Sequence, residues 1–527
     1  MNRSIVLFLS LYLSLFSCKQ NQYADTIIYG GTIYTVDSIN SVIEAVAIKD
    51  DIIIKTGDIS EIRKFSNDNT KEINLDGRTM IPGFIEGHAH IMGTGYNQKN
   101  LDLLNTTSYD EIIQIVKEKS QTIPKGEWII GRGWHQDKWK NSPEKLIRGF
   151  PTHNKLSEAV PNHPVYLRHA SGHASLANKK AMELFSINKE TKDIDGGEIF
   201  RDISENPTGV FNETAQGMIS PPSNTFKDHL VALKLANDHA IENGITSFHD
   251  AGSDYKDIRA YKTLAESGDL DLRLYIMLNG NNDSLLNDYF NKGPEIGLYN
   301  NHLTIRSIKL YADGALGSRG ALMKKDYSDK AGFKGLCLTS PEELAELADF
   351  CLETGYQLNS HGIGDSAIAI ILDMCSTVYP RRPDHRFRVE HAQIVDLNDI
   401  NKFADYAVLP SVQPTHATTD QRWAVSKLGI DRMEGAYAYK TLKEQLGMIA
   451  LGTDFPVEYV NPFYTIHSAV NRKNSKGIPK NGFLPSESLT IDETLKGMTF
   501  WAAFAAFQEG SLGTLEAGKQ ATFVVLN

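Results

Sequence analysis

Two histidines one residue apart stand in the stretch Gly87-His88-Ala89-His90. In an extended chain, residues i and i+2 point to the same side, so both imidazoles can reach one ion. Alone, such a pair also arises by chance on a surface. Four further side chains of ligand type each close an apolar run elsewhere. They are Lys309 in Ser307-Ile308-Lys309-Leu310-Tyr311, His361 after Asn359-Ser360, His391 after Val389-Glu390, and Asp454 after Leu451-Gly452-Thr453. Independent coincidences of that kind point to a metal centre rather than to structural histidines. Imidazole and carboxylate ligands suit Zn²⁺ first, with Fe, Mn or Co also admitted.

Such residues work together only if the fold carries the ends of their strands to one place. The middle of the chain holds eight apolar β-like runs: Met80–Ile85, Ile245–Phe248, Leu272–Leu278, Leu303–Tyr311, Tyr356–Asn359, Phe387–Val389, Ala407–Val412 and Met448–Leu451. Runs apolar throughout fit strands buried on both faces, and helical-period segments such as Pro341–Leu352 and Ser366–Val378 lie between them. The pattern predicts an α/β chain with a (β/α)₈ TIM-type barrel over residues 81–485, its function at the C-terminal ends of the strands. A large insertion at about residues 100–240 follows the first strand, on the catalytic face, as a lid or specificity wall. Short strands spaced by Gly and Asp turns fill residues 24–80 and return near the C-terminus. They predict a small β-sandwich assembled from both chain ends, with its second part and a final helix in residues 486–527.

Residues 1–18 differ from the rest: Arg3 precedes an apolar run from Ile5 to Phe16 that ends in Ser17-Cys18. The run is too short to span a bilayer and reads as the apolar core of a signal peptide. A Cys after a small residue resembles a bacterial lipobox, which implies lipid attachment at Cys18 and an exported periplasmic or cell-envelope lipoprotein. The alternative is an ordinary cleaved signal with a chance Cys. Cys337, Cys351 and Cys375 show no zinc-knuckle spacing and are expected to be buried apolar residues. Composition is globular, 41% hydrophobic and 23% charged, and the net charge of −11 argues against a broad affinity for nucleic acid. The expected partner is a small-molecule substrate, with membrane contact only through the N-terminal lipid; a homodimer is compatible with this.

Five motifs carry a resemblance: Pro82 to His90 (PGFIEGHAH), Lys309 to Arg319 (KLYADGALGSR), His361-Gly362-Ile363-Gly364-Asp365, Glu390-His391-Ala392-Gln393, and Gly452-Thr453-Asp454-Phe455-Pro456. With them the sequence resembles the amidohydrolase superfamily (amidohydrolase family 3, the YtcJ-like branch) over essentially everything after the leader. It is similar to the N-substituted formamide deformylases. Glu86 replaces a more usual Asp two residues before the first His. The resemblance implies two divalent ions. His88, His90 and Asp454 would hold the more buried one, and His361 and His391 the second. Lys309 would bridge them once its amine is carboxylated, because an ammonium has no lone pair to donate. The alternatives for Lys309 are a buried pair with Asp313 or a single-metal site. Asp454 would also be the general base.

The implied activity is metal-dependent hydrolysis of a carbon–nitrogen bond other than a peptide bond. Deamination of a small ring is an alternative, against which Lys309 speaks. A non-catalytic lipid-anchored binding or regulatory protein is another, against which the intact ligand set speaks. Candidate substrate contacts are His173, Arg319 and Gln413, with Asp313 and Arg319 equally open to a structural ion pair. His249 is expected to be structural. Trp134, His135, Asp137 and Trp139 line a lid or pack as an aromatic cluster.

Overall fold

The computed structural model describes residues 23–527 apart from 137, 138, 142, 144, 170–173, 195, 196 and 223. The leader with Cys18, and the candidate substrate contact His173, lie outside the described residues. The described residues divide into two compact units, those up to Pro82 with Gly510–Asn527, and those of Gly83–Glu509.

The first unit is a six-stranded sheet built from both chain ends. Thr26–Tyr34 is its hub, antiparallel to Val42–Lys49 and parallel to Lys71–Asn74 through its first half and to Thr79–Pro82 through its second. The C-terminal strand Phe523–Leu526 pairs antiparallel with Thr79–Pro82. The apolar run Met80–Ile85 is therefore not one strand: it divides at Gly83 between this sheet and the next unit. The helices Ile491–Gly497 and Phe500–Ala505 fall in the second unit, so the boundary expected at residue 486 lies at 510.

The second unit carries eight parallel strands: β1 (Phe84–Ala89), β2 (Ile245–Ser253), β3 (Arg273–Asn279), β4 (Leu303–Tyr311), β5 (Gln357–Gly362), β6 (Arg388–His391), β7 (Leu409–Val412) and β8 (Ala450–Leu451), each paired with the next. Phe248, Ile276, Ile308, Leu358, Val389, Val412 and Leu451 are wholly buried, which is why the runs are apolar without alternation. The barrel nearly closes between β8 and β1. There Thr453 donates its N–H and its hydroxyl to the Glu86 carboxylate at 2.7 and 2.8 Å, and Asp454 N–H donates to the His88 carbonyl at 2.7 Å. The two strands meet at Gly452, where a Cβ would lie 2.5 Å from Glu86 Oε1 and 2.6 Å from His88 N. The result is a TIM-type α/β barrel.

The chain between β1 and β2 contains its own six-stranded mixed sheet, residues 101–213. Trp134 and Trp139 stack there with ring centroids 6.2 Å apart, and Tyr109 lies on Trp139 at 5.8 Å. That is the packed aromatic cluster; Asp137 lies outside the described residues. Of the three downstream cysteines, Cys351 and Cys375 are buried as expected, whereas Cys337 is exposed. Cys337 stands in an irregular stretch between β4 and the helix Pro341–Thr354, where its neighbours Leu336 and Leu338 are exposed as well.

Candidate metal centre

His88 sits inside β1 and His90 caps the helix that follows, Ile91–Lys99. Lys309 and His361 lie within β4 and β5, His391 ends β6, and Asp454 follows β8. Parallel strands carry all six to the same end of the barrel, as the sequence predicts. His90 Nε2 is 3.2 Å from Asp454 Oδ1, and His88 Nε2 is 3.8 Å from the same oxygen. Lys309 Nζ is 3.2 Å from His88 Nε2 and is not paired with Asp313. The His361 and His391 rings lie 4.5 Å apart, and the His88 and His391 rings 4.9 Å.

Three of these imidazoles are oriented from behind. His88 Nδ1 meets Glu390 Oε2 at 2.5 Å, His90 Nδ1 meets the Ala251 carbonyl at 2.9 Å, and His391 Nδ1 meets Gln413 Oε1 at 2.8 Å. Each acceptor draws the ring proton to Nδ1 and leaves Nε2 with a lone pair facing the site. Gln413 thus holds a histidine rather than lining the cavity. Glu390 is buried, and burial alone would raise its carboxyl. The Arg388 guanidinium, with Nε 2.7 Å from Glu390 Oε1, and His88 outweigh that and hold it well below the carboxylate range.

Burial sets the charge states of the rest. It lowers His88 to about 4 and His361 to about 3, with Lys309 adding to both, and it holds His391 well below the usual imidazole range. It lowers Lys309 to about 8, against the opposing pull of Glu390 and Asp454. Asp454 is pushed up by burial but held down by His90 and its other histidine neighbours, and it stays ionised. His391 and Asp454 have φ of 75° and 58°, in the left-handed region. Such residues cost about 1–3 kcal/mol each and persist where a site needs them.

One residue of this site escaped the sequence reading. His416 stands in the helix Pro414–Asp420, which begins after β7 and Gln413, and its Nε2 lies 3.8 Å from Asp454 Oδ2. The available signal was its place, just beyond the end of a barrel strand. Among the described residues two ligand groups result, His88 with His90 and Asp454, and His391 with His416 and Asp454. His361 joins neither, and its Nε2 lies 3.5 Å from Asp313 Oδ1. The Nε2 atoms of His361 and His416 are buried without a hydrogen-bond partner among the described residues. Buried imidazole nitrogens left bare beside an ionised carboxylate are the donor set of a divalent cation.

His90, Lys309, His361, His391, His416 and Asp454 line a cavity of about 310 Å³, and Tyr311, Leu316, Trp423 and Glu458 complete its wall. Arg319 is not brought to it: its guanidinium grips Asp329 at 3.0 and 2.7 Å. The alternative held equally open, an ion pair between Arg319 and Asp313, does not form either: Asp313 accepts backbone N–H bonds from Leu322, Ile363 and Gly364. His249 is wholly buried with Nδ1 3.3 Å from Arg388 Nη1, the structural place expected.

The Amidohydrolase family profile matches residues 71–527. The chain is 32% identical over 508 residues to YtcJ of Bacillus subtilis (strain 168), across 95% of this chain and 93% of that protein. It is 27% identical over 533 residues to the N-substituted formamide deformylase of Arthrobacter pascens, across 96% and 94%. The solved structure of an uncharacterized metal-dependent hydrolase from Pyrococcus horikoshii OT3 superposes with a TM-score of 0.77 at 27% identity, covering 95% of this chain and 97% of that one. The chain belongs to the amidohydrolase family, within its YtcJ-like branch of metal-dependent hydrolases.

Proposed function

We propose that this hydrolase cleaves the C–N bond of a small non-peptide amide, an N-substituted formamide or another N-acyl compound, releasing an amine and a carboxylic acid. The observation that carries the reading is the Asp454 carboxylate lying between imidazoles at a cavity of small-molecule size. Two divalent ions, Zn²⁺ first, would acidify a water and polarise the scissile carbonyl. Asp454, ionised at neutral pH, takes the proton of the attacking water and delivers it to the leaving nitrogen, so that the amine departs neutral. His88 and His391, neutral and fixed by Glu390 and Gln413, contribute lone pairs rather than protons. Lys309, lowered to about 8, reaches its neutral amine near neutral pH, and that form would take up CO₂ as a carbamate able to ligate metal. Tyr311, Leu316 and Trp423 provide apolar wall against the substituents of the amide. The deformylase relative acts in its own name on N-substituted formamides, which makes that class the first to assay.

The test is a panel of N-formyl, N-acyl and cyclic amides offered to zinc-loaded enzyme, with amine release as the readout. One amide class is expected to turn over. Asp454→Asn is expected to lower kcat by at least about 10²–10⁴-fold, the range of a general base. Failure of the whole panel, or an Asp454→Asn enzyme of undiminished kcat, removes the reading.

A further inference from the structure

We infer that a second cavity, which shares Val457 and Glu458 with the metal cavity, seats the distal part of the substrate, and that this part is an uncharged apolar ring on a short carbon chain. The inference rests on the proposed amide hydrolysis and adds to it the class of amide. Residues 455–461 run irregularly from β8 to the helix Pro462–Asn471. In that stretch Val457 and Glu458 line both the metal cavity of about 310 Å³ and a neighbouring cavity of about 610 Å³. The two cavities therefore share a stretch of wall, over which a substituent can pass from one to the other. Small-molecule sites run to about 300–1,000 Å³, so the metal cavity alone lies at the lower end of that range. The neighbouring cavity gives it room for a longer ligand.

The wall of the second cavity says what kind of group it takes. Leu104, Val457, Tyr459 and Tyr464 are exposed, yet all four converge on this one concavity. The Tyr459 and Tyr464 rings stand 5.8 Å apart, and the buried Phe455 and Val460 complete the apolar surface. Exposed apolar side chains gathered in one hollow mark a ligand groove, whereas scattered ones do not. Several polar groups of the wall are spent within the protein. Tyr459 Oη accepts from Asn105 Nδ2 at 2.6 Å, and Asn461 Oδ1 accepts from Phe463 N–H at 2.9 Å. Glu458 accepts from the Thr419 hydroxyl at 2.6 Å. Asp102 and Arg132, the opposite charges of the wall, face each other across paired strands, so they set no net demand for an ion. Leu104 belongs to the insertion after β1 and Tyr464 to the helix after β8. Elements that carry no metal ligand thus set the preference for the substituent.

Affinity, rather than turnover, tests this. Hydroxamates chelate zinc, so their tails start at the metal centre and their length can be varied. Acetohydroxamate and 5-phenylpentanohydroxamate are titrated calorimetrically into the zinc-loaded full chain. The phenyl compound should bind at least about 100-fold more tightly, the gain of burying a ring and part of its chain. Tyr464→Asp and Leu104→Trp should each cut that ratio at least about tenfold, the first by placing a charge in the wall and the second by filling the cavity. Tyr464 is the third residue of its helix, where an acidic side chain favours the helix dipole, so the frame of the site is kept. Equal affinities of the two hydroxamates for the parent protein overturn the inference. So does a full ratio in either variant, since the tail then lies within the metal cavity against Tyr311 and Trp423. The hydroxamates are ligands and not substrates. Failure of the amide panel therefore removes the proposed reaction and leaves the apolar seat standing, whereas a flat hydroxamate series with active amides removes the seat and keeps the reaction.

Discussion

Glu390 is the residue on which the first ligand group depends most without belonging to it. Its carboxylate is wholly buried between Arg388 and the His88 imidazole, and Arg388 in turn donates to the Gly87 carbonyl at 2.6 Å and to Ser411 Oγ at 2.9 Å. The guanidinium keeps Glu390 ionised, and the carboxylate keeps the His88 proton on Nδ1. Glu390→Gln removes the counter-ion of a buried Arg and leaves an amide that can present N–H to His88. Losing one partner of a buried pair costs about 3–5 kcal/mol. Losing the acceptor behind a metal-bound histidine costs about 10–100-fold in metal affinity. Both should be measurable, by denaturation and by competition with a chromophoric chelator. A folded Glu390→Gln protein with unchanged zinc affinity would show that His88 needs no orienting. Little of this was legible in the sequence. Glu390 stands next to His391 on β6, yet the ring it orients is 302 positions away. Neighbours along a strand reveal which residues share a strand end, but not which one turns its side chain to the ion and which turns behind it. Gln413 repeats the point: its place at a strand end was readable, its service to His391 was not.

The elements were easier to read than the side chains, and the reason is periodicity. Strands buried on both faces leave apolar runs that need no partner to be recognised, so all eight barrel strands were visible. What periodicity cannot mark is where a run changes sheets, as Met80–Ile85 does, or which residue of the turn after a strand faces the mouth, as His416 does. The long insertion also hid a packing device. It leaves the barrel after the helix Ile91–Lys99 and returns through Phe226–Glu242, and those two helices lock together. Lys99 Nζ meets Asp228 Oδ1 at 2.6 Å and Tyr96 Oη meets His229 Nδ1 at 2.8 Å. At the contact, a Cβ on Gly95 would lie 1.9 Å from the Ala232 carbonyl oxygen. Backbone cannot yield as a side-chain end can, so Gly95→Ala should push the helices apart despite the better helix propensity of Ala. The expected loss is about 1–3 kcal/mol, the usual range for overpacking, read as a lower thermal midpoint. Because His90 caps the helix that carries Gly95, zinc affinity should fall with it. A variant as stable as the parent would mean that the two helices are free to separate at no cost.

At the scale of the whole chain, three cysteines report on the second unit. Cys351 lies on the buried face of the helix Pro341–Thr354 and Cys375 on that of Asp365–Val378, and burial pushes both thiols well above their ordinary range. The thiolate is the reacting species, so neither should alkylate while those helices stay docked. Cys337 is exposed, its Sγ 3.1 Å from the Thr339 carbonyl, so no packed helix covers it. Iodoacetamide at neutral pH should therefore modify Cys337 in the native protein and leave the other two untouched. Under increasing denaturant, Cys351 and Cys375 should become reactive together, because adjacent barrel helices lose their cover in one cooperative event. Loading with zinc should move that event to higher denaturant, since an ion that binds only the folded barrel stabilises it by mass action. The ligands come from strands far apart in the chain, so the shift should be the same at both thiols. Peptide mapping of the label across a denaturant series gives the answer directly. If Cys375 alkylates well before Cys351, the barrel opens in pieces, and a metal centre assembled from β1, β6 and β8 would have to survive the loss of part of its frame.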